Sequence, residues 1–240
     1  MGIEAATKGL LVFGLELMVL YAAGSYAMGR LMAISGFGGG GIVLGRIAFF
    51  LLVFPGVVLH ESAHYLACLV TGTKVSRFAA FSPRRSADGR LVLGYVRHER
   101  RGFPITAIIG LAPVLLNPLG ILFVTALLTP LTLSEVAAPS FETVTDGLAG
   151  RLTDTPLLAA AWAYLSLSLA LGSVPSREDL SSLPAVLVVF GGGVLLLGLL
   201  RVGSSNDYSA IEDLAALAAG LYALPAAVAL VAALLARISR

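Results

Sequence analysis

Six long apolar segments constrain the fold of this chain more than any other feature of its sequence. They cover residues 9–29, 42–71, 105–130, 156–172, 183–200 and 212–236. A helix needs about 20 apolar residues to cross a bilayer, so each segment is long enough, or nearly so, to be a transmembrane span. Charged residues make up only 12% of the chain, about half their share in soluble domains. The sequence therefore predicts an all-α polytopic membrane protein with about six transmembrane helices.

The chain is predicted to form one membrane domain over residues 1–240, because no internal repeat or low-complexity region divides it. Glu4 precedes the first apolar segment and Glu16 interrupts it. That pattern is not typical of a cleaved signal peptide, so we expect a retained first span. Glu16 is expected either to pair with a polar group on another helix or to act in water access or gating.

The segment 72–104 is the main polar insertion, and it is strongly basic. Loops rich in Lys and Arg stay on the cytoplasmic side, which predicts a cytoplasmic insertion with cytoplasmic N- and C-termini. The stretches 74–81 and 90–96 flank the turn-like sequence Ala87-Asp88-Gly89 and predict a small β-hairpin. We expect its charges to set the topology and to contact lipid headgroups. These charges are Lys74, Arg77, Arg84, Arg85, Arg90, Arg97, Arg100 and Arg101, against Asp88 and Glu99.

The second apolar segment contains His60-Glu61-Ser62-Ala63-His64, which uses two of the chain's three histidines. Residues four apart lie on one face of a helix, so His60 and His64 can bind one ion with Glu61 beside it. In soluble metalloproteases this arrangement provides two zinc ligands and a general base. Its chance expectation in a random chain of this composition is about 0.001. Ionisable groups in a span cost about 2.5–3.5 kcal/mol each, so such groups usually serve a function.

A third ligand is expected from elsewhere in the chain, because a catalytic zinc site has three protein ligands and one open position. Asp179 is the best candidate, and Glu178 is the reserve. Ser176 and Asp179 also have the spacing of a capping box at the start of the fifth span, a role compatible with metal binding. Cys68 is expected to be a small packing residue and His98 a polar residue at headgroup level.

These motifs resemble the site-2 protease family of intramembrane zinc metalloproteases. The matching elements are HESAH at 60–64, the pattern Gly110-x-x-Pro113-x-x-x-Asn117 in the third span, and the segment from Pro175 to Asp179. The resemblance covers roughly residues 45–200, the expected catalytic core. It implies one Zn²⁺ per chain held by His60, His64 and Asp179, with Glu61 as the general base.

The resemblance also implies that Asn117 lies near the substrate backbone or the developing oxyanion. The alternative role of Asn117 is a hydrogen bond across helices. The implied activity is hydrolysis of peptide bonds in transmembrane segments of other proteins, which requires a lipid bilayer and no nucleic acid. The compact chain and its basic insertion favour a prokaryotic cell membrane.

A second class of function stays open, namely a metal-binding membrane protein without proteolytic activity. A metal transporter is expected to carry several polar residues along its spans, or internal repeats. A pseudoprotease is expected to have lost the general base, and Glu61 is present.

Overall fold

A computed structural model describes residues 2–37, 43–87, 89–129, 131, 149–150, 154–174, 176, 179 and 209–238. The described chain is mostly helical, with four short strands between the second and third helices. The helices are α1 (Gly2–Ile34), α2 (Val43–Val70), α3 (Ile105–Leu128), α4 (Pro156–Gly172) and α5 (Ser209–Ile238). The strands are β1 (Val75–Ala79), β2 (Arg84–Arg85), β3 (Leu91–Val92) and β4 (Tyr95–His98).

Three helices in the described ranges are long and apolar enough to cross a membrane: Gly14–Ile34 within α1, α2 and α3. They coincide with the first three predicted spans and indicate that the protein associates with a membrane. The fourth predicted span forms α4, an apolar helix of 17 residues. The sixth lies within α5, and the fifth, 183–200, falls outside the described residues. The six-span arrangement therefore stays a prediction.

Two layers of helices form the core of the described protein. In one layer, α1 and α5 lie along each other through buried residues that include Leu20, Ala23, Tyr222 and Ala229. In the other layer, α2, α3 and α4 all contact one another. The candidate metal ligands belong to this second layer and to the chain that follows α4.

The basic insertion folds into antiparallel strand pairs, as the sequence predicts. β1 pairs with β4, and β2 pairs with β3 nearer the turn. Gly89 takes a left-handed conformation with φ of 82°, which suits a glycine in a tight turn. The predicted turn residue Asp88 lies outside the described residues.

The hairpin lies beside α2 rather than beyond its end. Phe78 stacks on Tyr65 with ring centroids 4.8 Å apart, and Phe81 meets Phe54 edge to face at 5.0 Å. Phe54 precedes the end of α2 at Val70 by about 24 Å of helical rise. The insertion therefore runs back along α2, and contact of its charged side chains with lipid headgroups stays a prediction.

Pro55 interrupts the hydrogen bonding of α2. A proline has no N–H, so the carbonyl of Leu51 loses the partner that it would have in a regular helix. The Tyr164 hydroxyl of α4 donates a hydrogen bond of 2.7 Å to this oxygen. The carbonyl freed by Pro55 is thereby satisfied by a side chain of a neighbouring helix.

The backbones of α2 and α4 touch directly. The Gly56 N–H donates to the Ser168 hydroxyl at 2.9 Å, and a Cβ added to Gly172 would lie 2.5 Å from the backbone oxygen of Gly56. Glycine at both positions permits this approach, as small residues do in membrane helix pairs. The contact brings the C-terminal end of α4 beside the second half of α2.

Candidate metal centre

His60 and His64 each donate a hydrogen bond from Nδ1 to the backbone of a different helix. His60 Nδ1–H donates to the carbonyl of Gly172 in α4 at 2.7 Å. His64 Nδ1–H donates to the carbonyl of Ile109 in α3 at 2.8 Å. A carbonyl can only accept, so these contacts place the proton on Nδ1 and leave Nε2 as the ligand atom. Bonds of this kind orient the imidazoles of protein metal sites.

The two Nε2 atoms and the Asp179 carboxylate converge on one point. The Nε2 atoms lie 3.2 Å apart. Asp179 Oδ2 is 3.6 Å from His60 Nε2, and Oδ1 is 3.1 Å from His64 Nε2. Ligands about 2.0–2.1 Å from a tetrahedral ion are separated by about 3.3 Å, which these distances match. The three groups could therefore hold one metal ion.

The three candidate ligands present lone pairs to one another, and a positive charge between them would offset the resulting repulsion. With both protons on Nδ1, the two neutral Nε2 atoms present lone pairs to each other and to a carboxylate. The three side chains are only 10–12% exposed, so water screens this repulsion weakly. A metal ion bound between the three groups, or a proton on one imidazole, would offset this repulsion. The ligand distances and the His-Glu-x-x-His motif favour the metal.

Asp179 is held in place by two bonds to Ser176. The Ser176 N–H donates to Asp179 Oδ2 at 2.7 Å, and the Asp179 N–H donates to the Ser176 hydroxyl oxygen at 3.2 Å. This is the reciprocal geometry of the predicted capping box. Gly110 gives this segment room, because a Cβ there would lie 3.2 Å from the Asp179 backbone oxygen. Asp179 thus combines cap geometry with proximity to both histidines.

Glu61 lines the same cleft as the three candidate ligands. The cleft has a volume of about 620 Å³, and α2, α3, the end of α4 and residues 90–96 of the insertion form its walls. Gly94 lies against Glu61, since a Cβ on Gly94 would be 2.5 Å from Glu61 Cγ. The cleft therefore contains a carboxylate beside the candidate metal position.

Asn117 lies between the helices and outside the residues that line the cleft. It is completely buried, and its Nδ2 donates to the carbonyls of Gly56 at 3.3 Å and Leu169 at 3.4 Å. Its Oδ1 has no hydrogen-bond partner among the described residues. This placement corresponds to the interhelical role that the sequence left open. A role beside the substrate stays a prediction.

The remaining candidates differ in their surroundings. Cys68 is fully buried in an apolar cluster with Ala63, Ala67 and Ile109, as expected for a packing residue. His98 lines the cleft and is not among the grouped ligands. Glu178 lies outside the described residues. Glu16 has a buried oxygen, Oε2, without a hydrogen-bond partner in the described part of the chain.

The two backbone carbonyls that orient the histidines were not predicted from the sequence. One of the two could have been recognised in the sequence. Pro113 has no N–H, so the carbonyl four residues earlier, that of Ile109, lacks its helical partner. The other belongs to Gly172 in the last turn of α4, where helix carbonyls lack internal partners. Which side chain would reach each carbonyl depends on helix packing.

Comparison of the chain with protein-family models, curated proteins and solved structures yields no match.

Proposed function

We propose that this chain is an intramembrane zinc metalloprotease, similar to the site-2 protease family, that hydrolyses peptide bonds in transmembrane segments of other membrane proteins. The observation that carries the proposal is the convergence of His60 Nε2, His64 Nε2 and the Asp179 carboxylate at tetrahedral ligand distances. The apolar helices around this cluster support a site at membrane depth.

His60, His64 and Asp179 would hold the ion. Zn²⁺ bound by three protein ligands lowers the pKa of water toward about 7 and polarises a carbonyl oxygen. Glu61, on the same cleft, accepts the proton of the attacking water. It then delivers this proton to the amide nitrogen as the carbon–nitrogen bond breaks, which leaves a new carboxyl end and a new amine.

The substrate is a transmembrane helix that has unwound near the scissile bond, since a peptide bond within a helix is hydrogen-bonded and shielded. Helix-breaking residues lower the cost of unwinding. Among the described residues, β4 pairs with β1 on one side and with no strand along its other edge. Residues 91–96, at the start of β4 and before it, line the cleft. An unwound segment can add to this edge as a strand, which aligns its backbone with Glu61.

Glu61→Gln tests the proposal. The purified protein is reconstituted in liposomes with a set of tagged single-span segments that carry helix-breaking residues, and new termini are identified by mass spectrometry. We expect wild type to contain one zinc per chain and to cleave within the span. Glu61→Gln should retain zinc and lose cleavage by about 100-fold or more, the typical contribution of a general base.

The matched control is Glu99→Gln, the same change at a carboxylate that pairs with Arg101 in the insertion. This variant should cleave as wild type does. Cleavage by Glu61→Gln at the wild-type rate would remove Glu61 from the mechanism. A wild-type protein that binds zinc and cleaves none of the segments would contradict proteolysis and favour the non-proteolytic alternative.

A further inference from the structure

Pro113 lies in α3, fully buried, four residues after Ile109. In a regular α-helix the N–H of residue 113 would donate to the carbonyl of residue 109. Proline has no N–H, so the Ile109 oxygen lacks its helical partner. This oxygen is the acceptor for His64 Nδ1–H, at 2.8 Å. The residue that frees the carbonyl and the histidine that uses it belong to different helices.

We propose that Pro113 is a positioning residue for the metal site, which keeps the Ile109 carbonyl available to orient the His64 imidazole. Through this bond Pro113 fixes the proton of His64 on Nδ1 and directs Nε2 toward His60 and Asp179. The inference depends on metal binding at the proposed site and adds a residue that contacts neither metal nor substrate.

An N–H at position 113 would compete with His64 for the Ile109 oxygen. The new donor lies along the helix axis and draws the carbonyl into line with α3, whereas a carbonyl without an axial partner can tilt outward. His64 Nδ1–H then has a weaker acceptor, and the ring loses its fixed orientation and tautomer. Loss of such an orienting partner typically lowers metal affinity by about 10–100-fold.

The same helix contains a matched control. Pro118 removes the helical partner of the Val114 carbonyl, and the Tyr222 hydroxyl of α5 donates to this oxygen instead. Both prolines are fully buried in α3, and both free a carbonyl that a side chain from another helix uses. Only in the case of Pro113 is that side chain a candidate metal ligand.

The test compares Pro113→Ala and Pro118→Ala in the full-length protein. Affinity for Zn²⁺ is measured by competition with a chromophoric chelator, and the visible absorption of bound Co²⁺ reports ligand geometry. We expect Pro113→Ala to weaken binding by about 10–100-fold and to alter the Co²⁺ spectrum. Pro118→Ala should match wild type in both measurements. Should Pro113→Ala not fold, Pro113→Gly supplies the same N–H and tolerates a kinked backbone.

A double-mutant cycle with His64→Ala separates positioning from a general disturbance of α3. Without the imidazole, Pro113→Ala should cause no further loss of the remaining metal affinity. Equal losses with and without His64, or wild-type affinity and spectrum in Pro113→Ala, would overturn the role of Pro113. Failure of the wild-type protein to bind metal would instead overturn the proposed function, on which this inference rests.

Discussion

Each of the three candidate ligands is oriented by the backbone of a different element. His60 is bonded to the end of α4, His64 to the middle of α3, and Asp179 to the amide of Ser176. Side chains held in this way lose little conformational freedom when an ion binds. The cluster is therefore preorganised, which favours tight binding at a single position.

The two roles of Asp179 can be separated by substitution. Asp179→Asn keeps an oxygen that can accept from the Ser176 N–H but removes the anionic ligand. We expect it to lower zinc affinity by at least about 10-fold, with a small change in the free energy of unfolding. Ser176→Ala removes the hydroxyl that accepts from the Asp179 N–H. It should cost about 0.5–2 kcal/mol of stability and leave zinc affinity near that of wild type.

Zinc affinity by chelator competition and unfolding by denaturant titration provide the two measurements. If Asp179→Asn binds zinc as tightly as wild type, Asp179 is a cap alone. The third ligand must then be sought elsewhere, beginning with Glu178.

The site residues were predictable from the sequence to different extents. His60, Glu61 and His64 follow from helical spacing, which is a local property. Asp179 was a prediction from the required ligand number and from its position in the connection after α4, and the structure brings it to the two imidazoles. The carbonyls of Gly172 and Ile109 were not predicted, because a backbone atom has no residue type and its partner is chosen by packing.

At the level of elements, each residue of the third-span motif Gly110-x-x-Pro113-x-x-x-Asn117 has a distinct contact in the structure. Gly110 makes room for the backbone of Asp179, Pro113 frees the carbonyl that accepts from His64, and Asn117 bonds to α2 and α4. The three residues are three and four apart, so they lie on one face of α3. This face of α3 packs against the elements that carry the candidate ligands.

The strands of the hairpin were predicted from the sequence, whereas its packing position was not. The strands were predictable because the stretches 74–81 and 90–96 flank a turn sequence. Its position along α2 was not predictable, because charge alone does not say which helix an insertion packs against. Contacts of Phe78 and Phe81 with α2 decide the position instead, and they depend on which aromatic residues meet in three dimensions.

Gly94 permits the hairpin to lie directly against Glu61. A Cβ at this position would be 2.5 Å from Glu61 Cγ and 2.8 Å from the carbonyl oxygen of Ala80. Gly94→Ala must therefore displace either the strand or Glu61, and a shift of about 1 Å can cost about 100-fold in rate. We expect a loss of cleavage of about 10–100-fold with zinc affinity unchanged, because Gly94 is not beside the three ligands.

Gly102→Ala is the matched control, since a Cβ at Gly102 meets no atom within 4 Å. It lies in the same insertion and should cleave as wild type does. Full cleavage by Gly94→Ala would show that the contact with Glu61 does not constrain the reaction.

For the whole molecule, the candidate ion joins parts of the chain that are distant in sequence. Two ligands lie on α2 and the third follows α4, while α3 provides an orienting carbonyl. Glycine at positions 56 and 172 lets the backbones of α2 and α4 touch, and apolar side chains of both helices share one buried cluster. An ion held by ligands from α2 and from the chain after α4 should contribute to the cohesion of this helix layer as well as to the proposed hydrolysis.

Metal removal tests this coupling. A ligand that binds only the folded state stabilises it by about 4 kcal/mol when its free concentration is about 1,000 times its dissociation constant. We expect a chelator to lower the thermal unfolding midpoint of wild type in detergent, and added Zn²⁺ to restore it. His64→Ala should unfold near the midpoint of the chelated protein and should respond little to chelator, because its site lacks one imidazole. An equal response of both proteins would place the stabilising ion at another site, and no response in wild type would mean that the helix layer holds together without metal.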